Sequence, residues 1–428
     1  MDRDTLMRQG EERRQKTLDA KPVLKAVPGK KKKRRFLGGQ IDIPLLTIVI
    51  LLLLFGLVML FSASYPNAQA RQDDSYAFIS NQVQFAVLGL VGMVAAAFVD
   101  YRLWKRFAWP LMVVALVMLV VVLGFTDQNG AHRWIWIGPL SIQPSEVAKL
   151  AVILVFAKMI SANQSKIRSF KYGFFPFMLI LGVVAVLMFM EPHLSGTILI
   201  LGVGAVMMVT GGTPLRWLIA VAIIAIGAAW LLMTQFQDIL PAYALKRIAT
   251  WQDPFGVPAK DGHQVIQSLI AVGSGGLGGQ GIGNSVQKYM YLPEVYNDYI
   301  FAVVCEELGL IGAVALILLF LALLARGILL ALRAKDKFGS MLVIGITVQI
   351  ALQALLHVAV NINAIPSTGI SLPFFSSGGS SLCMLLGEIG IVLSVSRHAR
   401  QTMLRREEEA PAAEPAAEPL PERAVESG

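Results

Sequence analysis

The sequence predicts an all-α fold: a polytopic membrane helix bundle of ten transmembrane helices, both termini cytoplasmic, with a large extracytoplasmic loop between the seventh and eighth. Three observations predict it. Hydrophobic residues make up 55% of the 428-residue chain and charged residues only 15%, against about 25% charged in a soluble domain. Apolar stretches near the roughly 20 residues that cross hydrocarbon as a helix recur along the chain, and mean hydropathy is +0.63. The positive charges fall in alternate connections.

In order, the candidate spans are 43–63, 78–99, 107–125, 145–161, 173–190, 192–210, 215–235, 299–325, 338–362 and 377–397. The fifth and sixth are separated only by Glu191-Pro192-His193, so the positive-inside rule decides the count. Ten spans place Arg102, Lys105, Arg106, Lys166, Arg168, Lys171, Arg216, Arg326, Arg333, Lys335 and Lys337 in short inner loops. Only Arg71 and Arg133 fall in short outer loops. That asymmetry fits ten spans and puts the 236–298 loop outside, away from ATP.

Residues 1–42 read as a basic cytoplasmic extension and 398–428, rich in Ala, Pro and Glu, as a disordered tail. The Lys30 to Arg35 run of KKKKRR matches a nucleic-acid pattern by letters. Placed before a span, it instead lies against the anionic inner leaflet, so no nucleic-acid partner is expected. The apolar run begins too far in for a cleavable signal peptide. Cys305 and Cys383 sit in apolar stretches and read as buried free thiols.

Residues Tyr291 to Gly309, YLPEVYNDYIFAVVCEELG, bring Glu294, Asp298, Glu306 and Glu307 to the mouth of a span, with no Lys or Arg between Lys288 and Arg326. A carboxylate in hydrocarbon costs roughly 2.5–3.5 kcal/mol even on lenient scales, so such acids usually have a task. Upstream, Gly273 to Gly278 spells G-x-G-x-x-G. It lacks the strand–turn–helix context of a dinucleotide site, and no nucleotide cofactor is expected. Its glycines suit close packing at a bent half-helix, or amides laid along a ligand, or simple flexibility; all stay open.

Lys246 reads as a headgroup anchor, while Arg247 and Lys288 have two readings, headgroup anchor or diphosphate ligand. Trp134 and Trp136 sit at a membrane boundary, and Trp136 is an interface anchor. Glu146 and Lys149 stand three apart on one face at the start of the fourth span, with Pro144 in the first turn. They are either a structural pair or groups lining a cavity. Pro366 to Ser381, PSTGISLPFFSSGGSS, opens the last span with a proline-broken backbone and hydroxyls. Free amides at such a helix start suit phosphate oxygens; capping and small-residue packing are the alternative.

Four stretches, GAHRWI…QPSEVAK, RIATWQDP, SVQKYMYLPEVYNDYIF and PSTGISLPFFSSGGSS, resemble, in order, the signatures of the SEDS family of FtsW, RodA and SpoVE. The likeness spans Asp42 to Arg397, and its Ser285 to Glu294 part is more similar to FtsW and SpoVE. The resemblance implies a peptidoglycan glycosyltransferase that polymerises lipid II, with Asp298 as general base. It tilts Arg247 and Lys288 towards the diphosphate and places Glu294, Glu146, Lys149, Arg133, Ser377 and Ser380 with substrate. His193 departs from the Asp that many members carry and is read as structural. A divalent cation, Mg2+ or Mn2+, could assist the leaving group, although no metal-ligating residues stand out. Implied partners are lipid II, the growing lipid-linked strand, a class B penicillin-binding transpeptidase and division proteins. The competing reading is a lipid II flippase or proton-coupled carrier. Against it, the acids cluster at the outer face, and no internal repeat is visible.

Overall fold

Asp42 starts the bundle by accepting a hydrogen bond from the Leu45 amide at 3.0 Å, with Pro44 in the first turn. The computed structural model describes residues 41–125, 134–137, 140–191, 193–235, 242–256 and 261–409. Its helices are α1 (Ile43–Gln72), α2 (Ala77–Phe98), α3 (Arg102–Val122), α4 (Pro144–Ala162), α5 (Phe175–Met190), α6 (Leu194–Gly211), α7 (Leu215–Gln235), α8 (Ala242–Gln252), α9 (Asp261–Ser274), α10 (Ile300–Arg333), α11 (Lys337–Asn361) and α12 (Gly379–Glu409).

Among the described residues, eight helices are long and apolar enough to cross a membrane: α1, α2, α3, α5 with the π turn Phe170–Phe174 before it, α6, α10, α11 and α12 up to Ala399. Apolar side chains on their outer faces, such as Val91 at 63% and Leu321 at 52% exposure, make hydrocarbon the matching solvent. The chain is an integral membrane protein. The expected fourth and seventh spans fold as α4 and α7 but fall outside that set. The described apolar part of α7 is Leu215–Ala228, and α4 carries Glu146, Lys149 and Lys158. Every residue of α4 from Ala148 to Ala157 is buried, with α3, α6 and α11 packed around it. Neighbouring helices shield its charges from lipid.

Among the described residues, α2 and α12 pack along the most extensive helix–helix contact. Gly89 lies against Cys383 and Leu386, and Gly390 against Met93 and Ala96, so small residues let the two backbones meet. At the far end of the bundle from Asp298, Asp42 forms a two-pronged pair with Arg326 (2.9 and 2.6 Å) that ties α1 to α10.

Four features depart from the expected boundaries. A two-stranded antiparallel ribbon, β1 (Ile135–Ile137) with β2 (Leu140–Ile142), precedes α4. The 236–298 segment contains the helices α8 and α9 instead of plain loop. The last helix continues to Glu409, past the span end expected at 397. The fourth departure concerns α10, which runs to Arg333 and is broken at Gly309 (φ 65°, ψ −164°). The Lys30 to Arg35 run, Arg133 and residues 410–428 lie outside the described residues.

The Gly-rich segment fills that break. Gln280 and Gly281 donate to the carbonyls of Glu306 and Glu307 (3.0 and 2.9 Å). Leu310 and Ile311 donate to Gly276 and Leu277 (2.9 and 3.2 Å). Backbone groups freed by the broken helix are thus satisfied within the protein, as membrane depth requires. A Cβ on Gly275 would collide with the Cys305 carbonyl, and one on Gly279 with the Glu307 carbonyl. Close packing at a broken helix is therefore the role of Gly275 and Gly279.

Candidate active site

Asp298 ends the coil that leads into α10 and is partly buried. Glu294, in the left-handed region at φ 52°, turns the chain, and its carbonyl accepts from the Asn297 and Asp298 amides (3.0 and 3.1 Å). The Glu294 side chain accepts from Asn297 Nδ2 at 3.0 Å. Glu294 therefore shapes the Asp298 turn.

The last-span motif packs on the same turn. Ser376 Oγ donates to the Asn297 carbonyl at 2.6 Å and accepts from the Leu372 amide at 2.8 Å. The Ser377 amide donates to the Tyr296 carbonyl at 3.0 Å. Gly369 (φ 69°) faces the acid itself: a Cβ there would stand 3.3 Å from Asp298 Oδ2. Ser380, in the first turn of α12, has a buried hydroxyl with no hydrogen-bond partner among the described residues. The first turn of a helix carries amides without intrahelical acceptors, a feature that suits an anionic ligand.

A residue the sequence reading missed holds Asp298 from below. Asn361, fully buried, donates from Nδ2 to the Asp298 and His357 carbonyls (3.0 and 2.9 Å). Its Oδ1 accepts from the Ala302 amide (3.1 Å), and Ser268 Oγ donates to its carbonyl (2.8 Å). Asn361 therefore joins α9, α10 and α11 at the acid. It belongs to a polar stripe at four-residue spacing on α11: Gln349, Gln353, His357 and Asn361. His357 Nδ1–H donates to the Ile370 carbonyl at 2.8 Å, and Gln349 Nε2 donates to buried Glu388 at 2.8 Å. That spacing inside an apolar span is the signal that could have found Asn361.

Glu146 and Lys149 do form a pair, at 2.8 Å. Lys149, 5% exposed, also donates to Gln353 Oε1 (3.2 Å), and Gln353 donates to the Ser371 carbonyl and hydroxyl (3.0 and 3.2 Å). A small polar cavity is lined by Glu146, Gln349, Gln353, Ser371, Ser376 and Ser381. Ser376 thus links that cavity to the Asn297–Asp298 turn.

Lys288, which the resemblance tilts towards the diphosphate, lies inside the bundle. It is 3% exposed, with Nζ 2.9 Å from Glu307 Oε1 and 3.2 Å from Ser62 Oγ. Its ammonium is turned into the bundle and engaged there. Arg247 lies partly buried on α8. That helix is tied to the end of α11 by Trp251 Nε1 donating to the Asn363 carbonyl (3.1 Å) and Asn363 Nδ2 to the Trp251 carbonyl (3.3 Å). Among the described residues, no three His, Cys, Asp or Glu side chains converge as a metal site.

Fold and site together define an integral membrane protein in which three helices meet at the backbone of Asp298. The chain matches the model of the family described as "Cell cycle protein", that of FtsW, RodA and SpoVE, over residues 43–401. It belongs to that family. It is 41% identical over 364 residues to Stage V sporulation protein E of Bacillus subtilis, covering 84% of this chain and 98% of that one. It is 38% identical to a probable peptidoglycan glycosyltransferase FtsW of Geobacter sp., covering 84% and 97%. Among solved structures, it is similar to a chain described under "Structural coordination of polymerization and crosslinking by a peptidoglycan synthase complex" (28% identity, 84% and 99% coverage, TM-score 0.69). It is also similar to Thermus thermophilus rod shape determining protein RodA (27% identity, 84% and 97% coverage, TM-score 0.61).

Proposed function

We propose that the chain is a peptidoglycan glycosyltransferase that polymerises undecaprenyl-linked lipid II into glycan strands at the outer face of the cytoplasmic membrane. The observation that carries this is Asp298 at the mouth of α10, its backbone carbonyl held by Asn361 and its carboxylate facing Gly369 in the segment that leads to the Ser-rich start of α12. Relatives named peptidoglycan glycosyltransferase support it.

In this reading Asp298 accepts the proton of the incoming GlcNAc 4-hydroxyl as its oxygen attacks the MurNAc anomeric carbon of the growing strand. The bond from that carbon to the lipid diphosphate breaks, and the diphosphate leaves with the electron pair. A positioned general base typically contributes about 10²–10⁴-fold. The leaving group is already a stable anion, so a second carboxylic acid is not required. Without a covalent intermediate, the single displacement inverts the anomeric centre. Arg247, with the α12 start at Ser377 and Ser380, offsets the diphosphate charge. Glu146, Lys149 and Glu294 shape the substrate cavity.

The reading includes ten crossings with both termini cytoplasmic, the 236–298 segment outside and enrichment at the division septum. It also includes a class B penicillin-binding protein as partner. The neighbour described as part of a peptidoglycan synthase complex supports such a partnership. The test is glycan-strand synthesis from lipid II by the purified protein, with and without its partner. Asp298→Asn should abolish polymerisation while insertion and partner binding persist. Wild-type polymer yield from that variant would sink the assignment and favour a carrier. Orientation is checked separately: cysteines near Gly256 should react with an impermeant maleimide from outside, and those near Lys337 should not.

A further inference from the structure

Two adjacent acids at the break of α10, Glu306 and Glu307, are both buried, at 1% and 0% exposure. Neither belongs to the mechanism above. Glu307 accepts from Ser62 Oγ of α1 (2.7 and 2.8 Å), from Lys288 Nζ (2.9 Å) and from the Ser285 amide (3.4 Å). Glu306 accepts from Ser285 Oγ (2.5 Å) and the Val286 amide (2.9 Å). Asn67 of α1 donates to the Lys288 carbonyl (3.3 Å). The network thus staples the coil after the Gly-rich segment to two helices.

Asp298 lies in the chain between Lys288 and the two glutamates. One end of its segment is held by Lys288 and Ser285, and the other passes into the short outer piece of α10 that carries Glu306 and Glu307. Because α10 is broken at Gly309, that outer piece is not held in register by continuous helix. The Gly-rich segment bonds across the break, and the buried pair adds a second hold at the last turn of that outer piece. A hydrated ammonium waiting for a phosphate would be exposed; this one is enclosed with a carboxylate and a hydroxyl.

We infer that Lys288, Glu307 and Ser62 are positioning residues that set the location of Asp298, rather than ligands of the diphosphate. The inference rests on Asp298 acting as the base. Residues that act as one unit show non-additive losses, and small misplacements of a reacting group can cost about 10²-fold.

The experiment measures lipid II polymerisation for Lys288→Met, Glu307→Gln and the double variant, with a second readout independent of chemistry. Each single variant should lower kcat by about a hundredfold at little changed KM. The double variant, which removes both members of the Lys288–Glu307 pair, should be no worse than either and should keep a monodisperse, folded protein. In an Asp298→Cys background, maleimide labelling of the new thiol should change rate when Lys288→Met is added. It should not change with Arg247→Ala, and Cys305 and Cys383 set the blank. A raised KM for Lys288→Met, with Glu307→Gln near wild type and unchanged labelling, would overturn the inference and return the ammonium to the substrate. Activity in Asp298→Asn with altered labelling would sink the base assignment alone.

Discussion

Asn361 donates a side-chain hydrogen bond to the carbonyl of Asp298 at 3.0 Å and accepts one from the Ala302 amide at 3.1 Å, so one amide holds both sides of the α10 entrance. Replacing it with Leu keeps the bulk and leaves the Ala302 amide without that acceptor. An unsatisfied buried group costs about 1–3 kcal/mol. Asn361→Leu should therefore lower thermal stability and cut kcat, with lipid II KM little changed, while Ser394→Ala on α12, which loses a bond to the Val99 carbonyl, should spare the acid. Calorimetry and steady-state kinetics on the two variants check this. Equal kinetic loss in both would assign Asn361 a general structural role.

With Lys288 enclosed, Arg247 is a cation among the described residues placed to meet the leaving group. Arg247→Ala should cost around 3–4 kcal/mol in the transition state, hundreds-fold in rate. A lipid-headgroup anchor should cost well under 1 kcal/mol, as exposed charges do. Turnover at saturating lipid II separates these outcomes. Near-normal activity would leave the α12 start as the anion site.

Gly309 occupies backbone space that is nearly glycine-only, and a Cβ there would strike the Gly279 amide and the Leu277 carbonyl. The backbone strain alone is about 1–3 kcal/mol. Gly309→Ala should reduce folded yield and polymerisation together, whereas Gly182→Ala on α5, with nothing within 4 Å of its Cβ, should be silent. Size-exclusion profiles in detergent report the first effect directly.

Asp42 predicts an acid-sensitive joint between α1 and α10. Partial burial pushes its carboxyl up, but the Arg326 hydrogen bond, the Leu45 amide and the Arg326 and Arg333 charges outweigh that and hold it below its ordinary value. A depressed carboxyl contributes stability above its unfolded value and loses it as pH falls through the folded one. Asp42→Asn, which keeps a capping side chain, should lower stability by about 1–3 kcal/mol at pH 7. The gap from wild type should close below about pH 4. A pH series of melting curves for the two proteins gives the comparison, and a gap that persists at low pH would point to packing instead.

The helices of the eight apolar spans, the Asp298 stretch and the Glu146–Lys149 pair were all legible in the sequence. Each depends on neighbours a few residues away or on transfer free energies that add residue by residue. The ends of α10 and α12 were not, because a broken helix and a helix that outruns its span leave the apolar count unchanged. Lys288 shows the limit most clearly. Its local surroundings offered a free cation next to a family-like motif, whereas the fold supplies Ser62 from α1 and Glu307 from beyond the coil. Composition and spacing determined that this chain lives in a membrane and carries acids at a helix mouth. Only the tertiary structure decided which acid is braced at the site and which is neutralised inside. That choice depends on partners brought together from distant parts of the chain, where burial makes every polar contact costly to leave unmade.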